Sequence, residues 1–388
     1  MLRDTLNNPI TNLNNPIKNK KMKFEEKIAK LLSIAGIKIN GNNPWDIQIH
    51  NPKLYSRVLS GGTLALGEAY MGGWWDCKKL DEFFTKVLKA ELDDEIKSRF
   101  IWDVIKAKIM NLQSKSRAFE VGERHYDLDN ELYRLMLDKR MIYSCGYWKN
   151  AKNLDQAQEA KLDLSCKKLN LKPGMRVLDI GCGWGGFAKF AAQKYKVKVV
   201  GITVSKEQAK LAQESCKGLP VEIRVQDYRD LNEKFDSIIS IGMFEHVGPK
   251  NYKEFMRIVH RCLKPSGLFL LHTIGNNKSY ASPEPWMEKY IFPNHLVPSA
   301  KQITTAAEGL FVLEDWHNFG MDYDKTLMAW HANFIKNWPK LKGRYNERFF
   351  RMWTYYLLSC AGGFRARHNQ LWQIVFSKEY KEEYRSIR

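Results

Sequence analysis

Val177-Leu178-Asp179-Ile180-Gly181-Cys182-Gly183-Trp184-Gly185-Gly186 is the stretch that decides the fold of this 388-residue chain. A short apolar strand ends, glycines turn the chain sharply, and a helical pattern begins. Without side chains in the turn, the backbone can lie close against a nucleotide-like ligand. A lone Gly-x-Gly says little, but this one stands in the required strand–turn–helix context. Outward from it, strand-like runs at 176–180, 197–202, 221–225, 237–241 and 268–273 alternate with helical stretches at 186–194, 206–216 and 251–262. That rhythm predicts a parallel sheet covered by helices on both faces. Runs at 311–315 and 371–376 would supply the last strands. The helical segments 323–338 and 345–359 then read as insertions forming a lid or a substrate wall.

The turn also discriminates between ligands. A dinucleotide normally requires an acid at the end of the second strand to hold its ribose, whereas that strand here ends Gly201-Ile202-Thr203-Val204-Ser205. Asp179 instead precedes the glycines, in the order Asp-x-Gly-x-Gly that marks S-adenosylmethionine-dependent methyltransferases. Their ligand has an ammonium group and no pyrophosphate, so a nearby carboxylate makes electrostatic sense. The backbone of Gly181, Cys182 and Gly183 would lie against it. Asp227, closing the third strand, is placed to receive the adenine amino group. The duller alternatives are that Asp179 ties loop amides and Asp227 caps the following turn.

Longer phrases are more specific. His125-Tyr126-Asp127, Tyr143-Ser144-Cys145-Gly146-Tyr147-Trp148, Gly242-Met243-Phe244-Glu245-His246-Val247-Gly248, Leu271-His272-Thr273-Ile274-Gly275 and Cys360-Ala361-Gly362-Gly363-Phe364-Arg365 resemble the cyclopropane-fatty-acyl-phospholipid synthases and the related mycolic acid enzymes. The resemblance runs from about residue 27 to 377. It implies a class I methyltransferase fold, Rossmann-like with a mostly parallel seven-stranded sheet, preceded by a small helical domain. It implies cofactor contacts from Tyr143, Ser144, Gly181, Gly183, Thr203, Gln208, Asp227 and Tyr228. It further implies a bicarbonate ion held by Cys145, Glu245, His272, Tyr323 and the backbone of Ile274. Gly146 stands where the family usually has Ala, and Asp129 where Gly is common.

The chemistry explains why such residues are needed. An alkene is a poor nucleophile and must be aligned with the sulfonium methyl. Transfer leaves positive charge on the acyl chain, which aromatic faces can stabilise. Ring closure then requires loss of a proton from the new methyl group, and a small gripped ion can accept it without covalent capture. His272 could instead be a satisfied core histidine, and Tyr323 a core tyrosine. Cys360 is a nucleophile candidate, but its aromatic surroundings suggest packing.

The remainder of the chain sets the context. Residues 1–23 repeat Asn-Asn-Pro-Ile and then gather Lys18, Lys20, Lys21 and Lys23, which reads as a disordered basic arm. Residues 24–118 read as a helical domain, 119–140 as a connector and 141–388 as the catalytic domain. In the helical domain, Phe83, Phe84, Val87 and Leu88 recur at helix spacing, as do Ile101, Val104, Ile105 and Met110. Gly61, Gly62, Gly67, Gly72 and Gly73 punctuate it. A net charge of +19 favours polyanionic partners. No apolar run approaches the roughly 18 residues needed to span a bilayer, so contact with phospholipid would be at the surface, through the lysine arm or Arg365 and Arg367. Seven scattered cysteines form no metal-ligand spacing and suit a reducing cytoplasm, with transient association at the inner membrane. The resemblance implies a homodimer. Rival readings are a methyltransferase that stops before ring closure, a nucleic-acid methyltransferase, and an inactive lipid-binding protein. The second lacks a recognisable RNA-binding module and the Asn-Pro-Pro-Tyr type loop.

Overall fold

The computed structural model describes residues 24–92, 130–379 and 382–388. The basic arm, the spacing at 101–110, the His125-Tyr126-Asp127 phrase and Asp129 lie outside the described residues. The N-terminal part comprises α1 (Phe24–Ile34), β1 (Gln48–Ile49), α2 (Leu54–Met71), β2 (Trp75–Asp76) and α3 (Leu80–Lys89). After α4 (Asn130–Met136) and α5 (Leu154–Lys168), the alternating region begins. It runs β3 (Arg176–Ile180), α6 (Gly186–Tyr195), β4 (Lys198–Thr203), α7 (Lys206–Ser215), β5 (Val221–Val225) and β6 (Phe235–Ile241). It continues through α8 (Tyr252–Cys262), β7 (Leu263–Asn276), α9 (Pro285–Tyr290), α10 (Ala300–Ala307) and β8 (Val312–Asn318). Two long helices, α11 (Met321–Leu341) and α12 (Glu347–Arg365), precede the last strand, β9 (Asn369–Ser377).

Seven strands form one sheet in the order β5-β4-β3-β6-β7-β9-β8. The first five in that order pair in parallel, and β9 lies antiparallel between β7 and β8. The inner parallel strands β3, β4, β6 and β7 are largely buried along both faces, as cover by helices on each side demands, whereas the edge strand β5 alternates, with Ile223 buried and Glu222 exposed. Polar side chains start the helices: Asn153 accepts from the Gln156 amide at α5, Ser205 from Gln208 at α7, and Ser299 forms a reciprocal capping box with Gln302 at α10. Each satisfies a main-chain donor left over at a helix start. After β3 the chain builds outward through β4 and β5, then returns to β6. The reversal between β3 and β6 opens a crevice at the strands' carboxyl ends, where open α/β sheets bind ligands.

Most strand and helix boundaries fall within two residues of the sequence reading. Two differences affect the site. β7 is fourteen residues long, so Ile274, just beyond the 268–273 run, is a strand residue like His272. Glu245 lies in a short turn of 3₁₀-helix, Phe244–His246, beyond the end of β6. A third difference concerns α2, which runs through Gly61, Gly62 and Gly67, with a kink at Gly62 where φ is 58°. Gly67 permits close packing: a Cβ there would sit 2.4 Å from Trp286 Cδ1.

The two long helices, read from the sequence as a lid or substrate wall, pack against the N-terminal part of the chain. α11 and α12 share one apolar cluster with α2 and α3, including the fully buried Trp75, Trp330 and Trp353. Arg351 on α12 donates 2.9 Å to the Trp75 carbonyl and 2.7 Å to Asp76, and its guanidinium lies 4.2 Å from the centre of the Tyr70 ring. Two further clusters fill the two faces of the sheet.

Candidate functional site

One cavity occupies the crevice, and all ten residues proposed as cofactor contacts line it: Tyr143, Ser144, Asp179, Gly181, Cys182, Gly183, Thr203, Gln208, Asp227 and Tyr228. The ends of β3, β4 and β5 and the first turn of α7 deliver them, together with the loop preceding α5. Gly181 adopts φ 82°, and a Cβ there would meet Met243 at 2.7 Å. Both the turn and the approach of the facing loop therefore require glycine at this position.

Asp179 is fully buried, and its Oδ2 has no hydrogen-bond partner among the described residues. Burial pushes its pKa up to about 7, against the pull of nearby Lys161. A carboxylate in this state lacks a cation, and an ammonium group would supply one. Lys161 itself is completely buried on α5 and donates 2.9 Å to Ser144 Oγ. Its neighbour Gln158 donates 2.7 Å to the Ser144 carbonyl. Together they clamp the 142–146 loop against the cavity.

On the opposite wall, Thr203 Oγ1 donates 2.9 Å to Gln208 Oε1, which leaves the Gln208 NH₂ group available at the cavity. A hydroxyl and an amide thus stand where a dinucleotide fold would place an acid. Asp227 lines the cavity and caps the following turn at the same time. Its Oδ1 accepts from the Arg229 amide, and its Oδ2 pairs with the Arg229 guanidinium at 3.0 Å. Each carboxylate oxygen has a second lone pair, so the capping and ligand roles are compatible.

None of the residues expected to hold the anion lines that cavity. Ile274 N–H donates 2.7 Å to Glu245 Oε1, while Glu245 Oε2 and His272 Nε2 are buried with no hydrogen-bond partner among the described residues. His272 and Ile274 are two apart on β7, so they project from the same face. Tyr323 on α11 stands within electrostatic reach of Glu245, Cys145 and Cys360. Burial pushes Glu245 up to about 7, holds the imidazole of His272 well below its ordinary pKa, and raises those of Tyr323 and Cys145. At neutral pH this leaves a neutral histidine, an un-ionised phenol and thiol, and a carboxyl balanced between its two forms. Cys360 on α12 is pushed up to about 12, chiefly by burial. Its thiol is therefore held protonated at neutral pH, which disfavours a thiolate nucleophile.

One expectation is corrected. Arg365 is not available to a membrane, because its guanidinium is gripped by Asp324 at 2.9 Å and by Asp81 at 2.5 Å. Arg367 is exposed. Among the described residues, no helix is long and apolar enough to cross a membrane. Sequence reasoning missed Lys161 and the rest of its stripe. Gln158, Lys161, Ser165 and Lys168 recur at intervals of three, four and three on α5, and all four are completely buried. Polar residues at that spacing ordinarily mark a solvated face. His246, which also lines the cavity, was quoted only as part of a phrase.

Seven strands in this order, with a ligand cavity at their carboxyl ends, are the architecture of class I S-adenosylmethionine-dependent methyltransferases. A cyclopropane synthase from Mycobacterium tuberculosis matches with TM-score 0.63 at 32% identity, over 67% of this chain and 98% of that one. A mycolic acid cyclopropane synthase complexed with SAH and CTAB matches with TM-score 0.63 at 33% identity, over 67% and 98%. Residues 113–374 match the model of mycolic acid cyclopropane synthetase. The chain is also 57% identical, over 92% of its length and 94% of the relative's, to the cyclopropane-fatty-acyl-phospholipid synthase of Escherichia coli K12. The chain belongs to the mycolic acid cyclopropane synthetase family of enzymes.

Proposed function

We propose that this enzyme transfers the methyl carbon of S-adenosylmethionine to the cis double bond of a phospholipid acyl chain and closes a cyclopropane ring, with bicarbonate as general base. The identity to the E. coli synthase along nearly the whole chain supports S-adenosylmethionine-dependent cyclopropanation. The observation that carries the finer reading is that Glu245 Oε2, whose other oxygen accepts from the Ile274 amide, and His272 Nε2, two residues along the same strand from Ile274, are both buried with no hydrogen-bond partner among the described residues. Buried polar atoms are rarely left unsatisfied, and a small oxyanion bearing one proton would suit this set of donors and acceptors.

In the reaction, the alkene π pair attacks the methyl carbon and the carbon–sulfur bond breaks, leaving a neutral thioether and a cationic acyl chain. The new methyl then loses a proton, and the freed C–H pair forms the third ring bond. Bicarbonate, when bound, supplies the acceptor for that proton. Asp179 holds the ammonium group of the donor, Gln208 and Thr203 meet its ribose, and Asp227 its adenine. The rings of Tyr143 and of Phe292 and Trp330, which both pack against it, offer faces that stabilise a nearby cation without capturing it. Glu245 holds the anion's proton or offers its own. Tyr323 and His272 donate to the anion's oxygens, and Cys145 packs beside them.

The acyl chain belongs to a bilayer, so the enzyme works at a phospholipid surface, aided by its net charge of +19. We place it in the cytoplasm at the inner membrane, as a homodimer, with no nucleic-acid partner. Vesicles of cis-unsaturated phospholipid, incubated with the protein and S-adenosylmethionine with and without bicarbonate, test the reading by mass spectrometry. The expected product gains one CH₂ per chain, loses the alkene and forms faster with bicarbonate. A methylated chain that retains a double bond would overturn ring closure, and a rate indifferent to bicarbonate would overturn the base.

A further inference from the structure

We propose that Gln373 is a positioning residue that fixes His272 as its Nε2–H tautomer, so that a buried N–H donor faces the anion site. The inference rests on the bicarbonate reading above for its consequence, though not for its geometry. Gln373 lies on β9 directly opposite His272 on β7 in the antiparallel register. Both side chains are buried, at 0% and 1% exposure. Gln373 Nε2 lies 3.0 Å from Ser165 Oγ and 3.4 Å from His272 Nδ1.

The direction of these bonds follows from their far end. Ser165 Oγ donates 2.8 Å to the carbonyl of Lys161, an atom that can only accept. The single hydroxyl proton is thereby committed, and Ser165 offers lone pairs to Gln373. The end of the amide facing Ser165 is therefore the NH₂ group. Its second N–H points to His272 Nδ1, which must present a lone pair. A neutral imidazole with an accepting Nδ1 carries its proton on Nε2. Nε2 is the ring atom left without a partner among the described residues.

Two buried amines on α5 reinforce the assignment. After burial, Lys161 and Lys168 are the charges that oppose protonation of the ring, so the histidine keeps one proton rather than two. The opposite tautomer would turn a lone pair toward an anion and repel it. The relay from the Lys161 carbonyl through Ser165 and Gln373 to His272 therefore converts a helix carbonyl into a donor at the site. The same helix clamps the cofactor loop through Lys161 and Gln158. One polar stripe thus organises both halves of the reaction centre. Metal-ligating histidines are set by outer hydrogen bonds in the same manner.

The test begins on the wild-type full chain and needs no variant. Two-bond ¹H–¹⁵N correlation spectra of protein labelled with ¹⁵N-histidine report which ring nitrogen carries the proton, with His272 assigned by its loss in His272→Gln. The expected pattern is protonated Nε2 and unprotonated Nδ1. A protonated Nδ1, or an imidazolium, at neutral pH overturns the proposal. Gln373→Glu replaces the donor with an acceptor and should move the proton to Nδ1. It should also lower the bicarbonate-stimulated rate by about tenfold to a hundredfold, the worth of one hydrogen bond to a charged group, with the KM for S-adenosylmethionine unchanged. An unchanged tautomer in a folded Gln373→Glu protein overturns the relay. A flipped tautomer with an unaltered bicarbonate response supports the relay and overturns the bicarbonate site instead.

Discussion

Asp179→Asn should stabilise the empty enzyme while crippling its cofactor binding, and the two effects can be measured separately. The Asp179 carboxyl is buried and titrates at about 7 against an ordinary value of 3.8. At about 1.4 kcal/mol per pKa unit, the shift corresponds to roughly 4 kcal/mol of instability once both states are ionised. The sign follows from proton binding. Between about pH 4 and pH 7 the unfolded chain has released the proton and the folded chain has kept it, so stability falls as pH rises through that window. Below it, both states are protonated and the contribution vanishes. Asparagine removes this term but leaves a buried NH₂ with incomplete hydrogen bonding, which costs about 1–3 kcal/mol. The net expectation is a gain of about 1–3 kcal/mol at pH 8 and, with only the unsatisfied amide left, a loss of about 1–3 kcal/mol at pH 4, read from chemical denaturation at the two pH values. Calorimetric titration with S-adenosylmethionine should show affinity lowered by roughly 2 kcal/mol or more, about thirtyfold, because a buried charge pair has lost one member. Binding within threefold of wild type, or a variant no more stable at pH 8, would refute the assignment of Asp179 to the ammonium.

Further predictions address the rest of the molecule. Glu245→Gln keeps shape and burial but cannot exchange a proton, so ring closure should slow by about a hundredfold or more, while calorimetry shows cofactor affinity unchanged. Gly67→Ala would normally favour a helix by about 1 kcal/mol. Here the added Cβ meets the Trp286 ring at 2.4 Å, so thermal melts should show a loss of about 1–3 kcal/mol and a changed tryptophan emission. Arg365→Met strands the carboxylates of Asp81 and Asp324, whose side chains are only 5% and 14% exposed. The expected destabilisation is about 2–4 kcal/mol, partly recovered in Arg365→Met combined with Asp81→Asn. Vesicle sedimentation should show binding to anionic phospholipid that weakens with salt. Binding indifferent to ionic strength would remove the electrostatic account of docking.

The alternation of apolar runs with helical stretches was legible in the sequence because burial on both faces of a parallel sheet leaves an unbroken hydrophobic signature. The cofactor turn was equally legible, since its geometry is local: a strand end, positive-φ glycines and an acid lie within eight residues. The resemblance supplied Cys145, Glu245, His272, Ile274 and Tyr323, which are scattered over nearly 180 positions of the chain and could not have been joined by spacing alone. Tertiary structure decided what the surroundings of those residues do. Gln158, Lys161, Ser165 and Lys168 look like a wet face until α5 is seen packed inward, and Arg365 looks like a docking cation until Asp81 arrives from the far end of the chain. Whether Asp227 caps a turn or lines a cavity also had no answer in one dimension, and folded it does both. Local sequence thus determined the elements and the turn, because backbone preference and hydrophobic period act over short distances. The charge state and direction of each buried polar group were decided only by folding, because burial and distant partners fix them together.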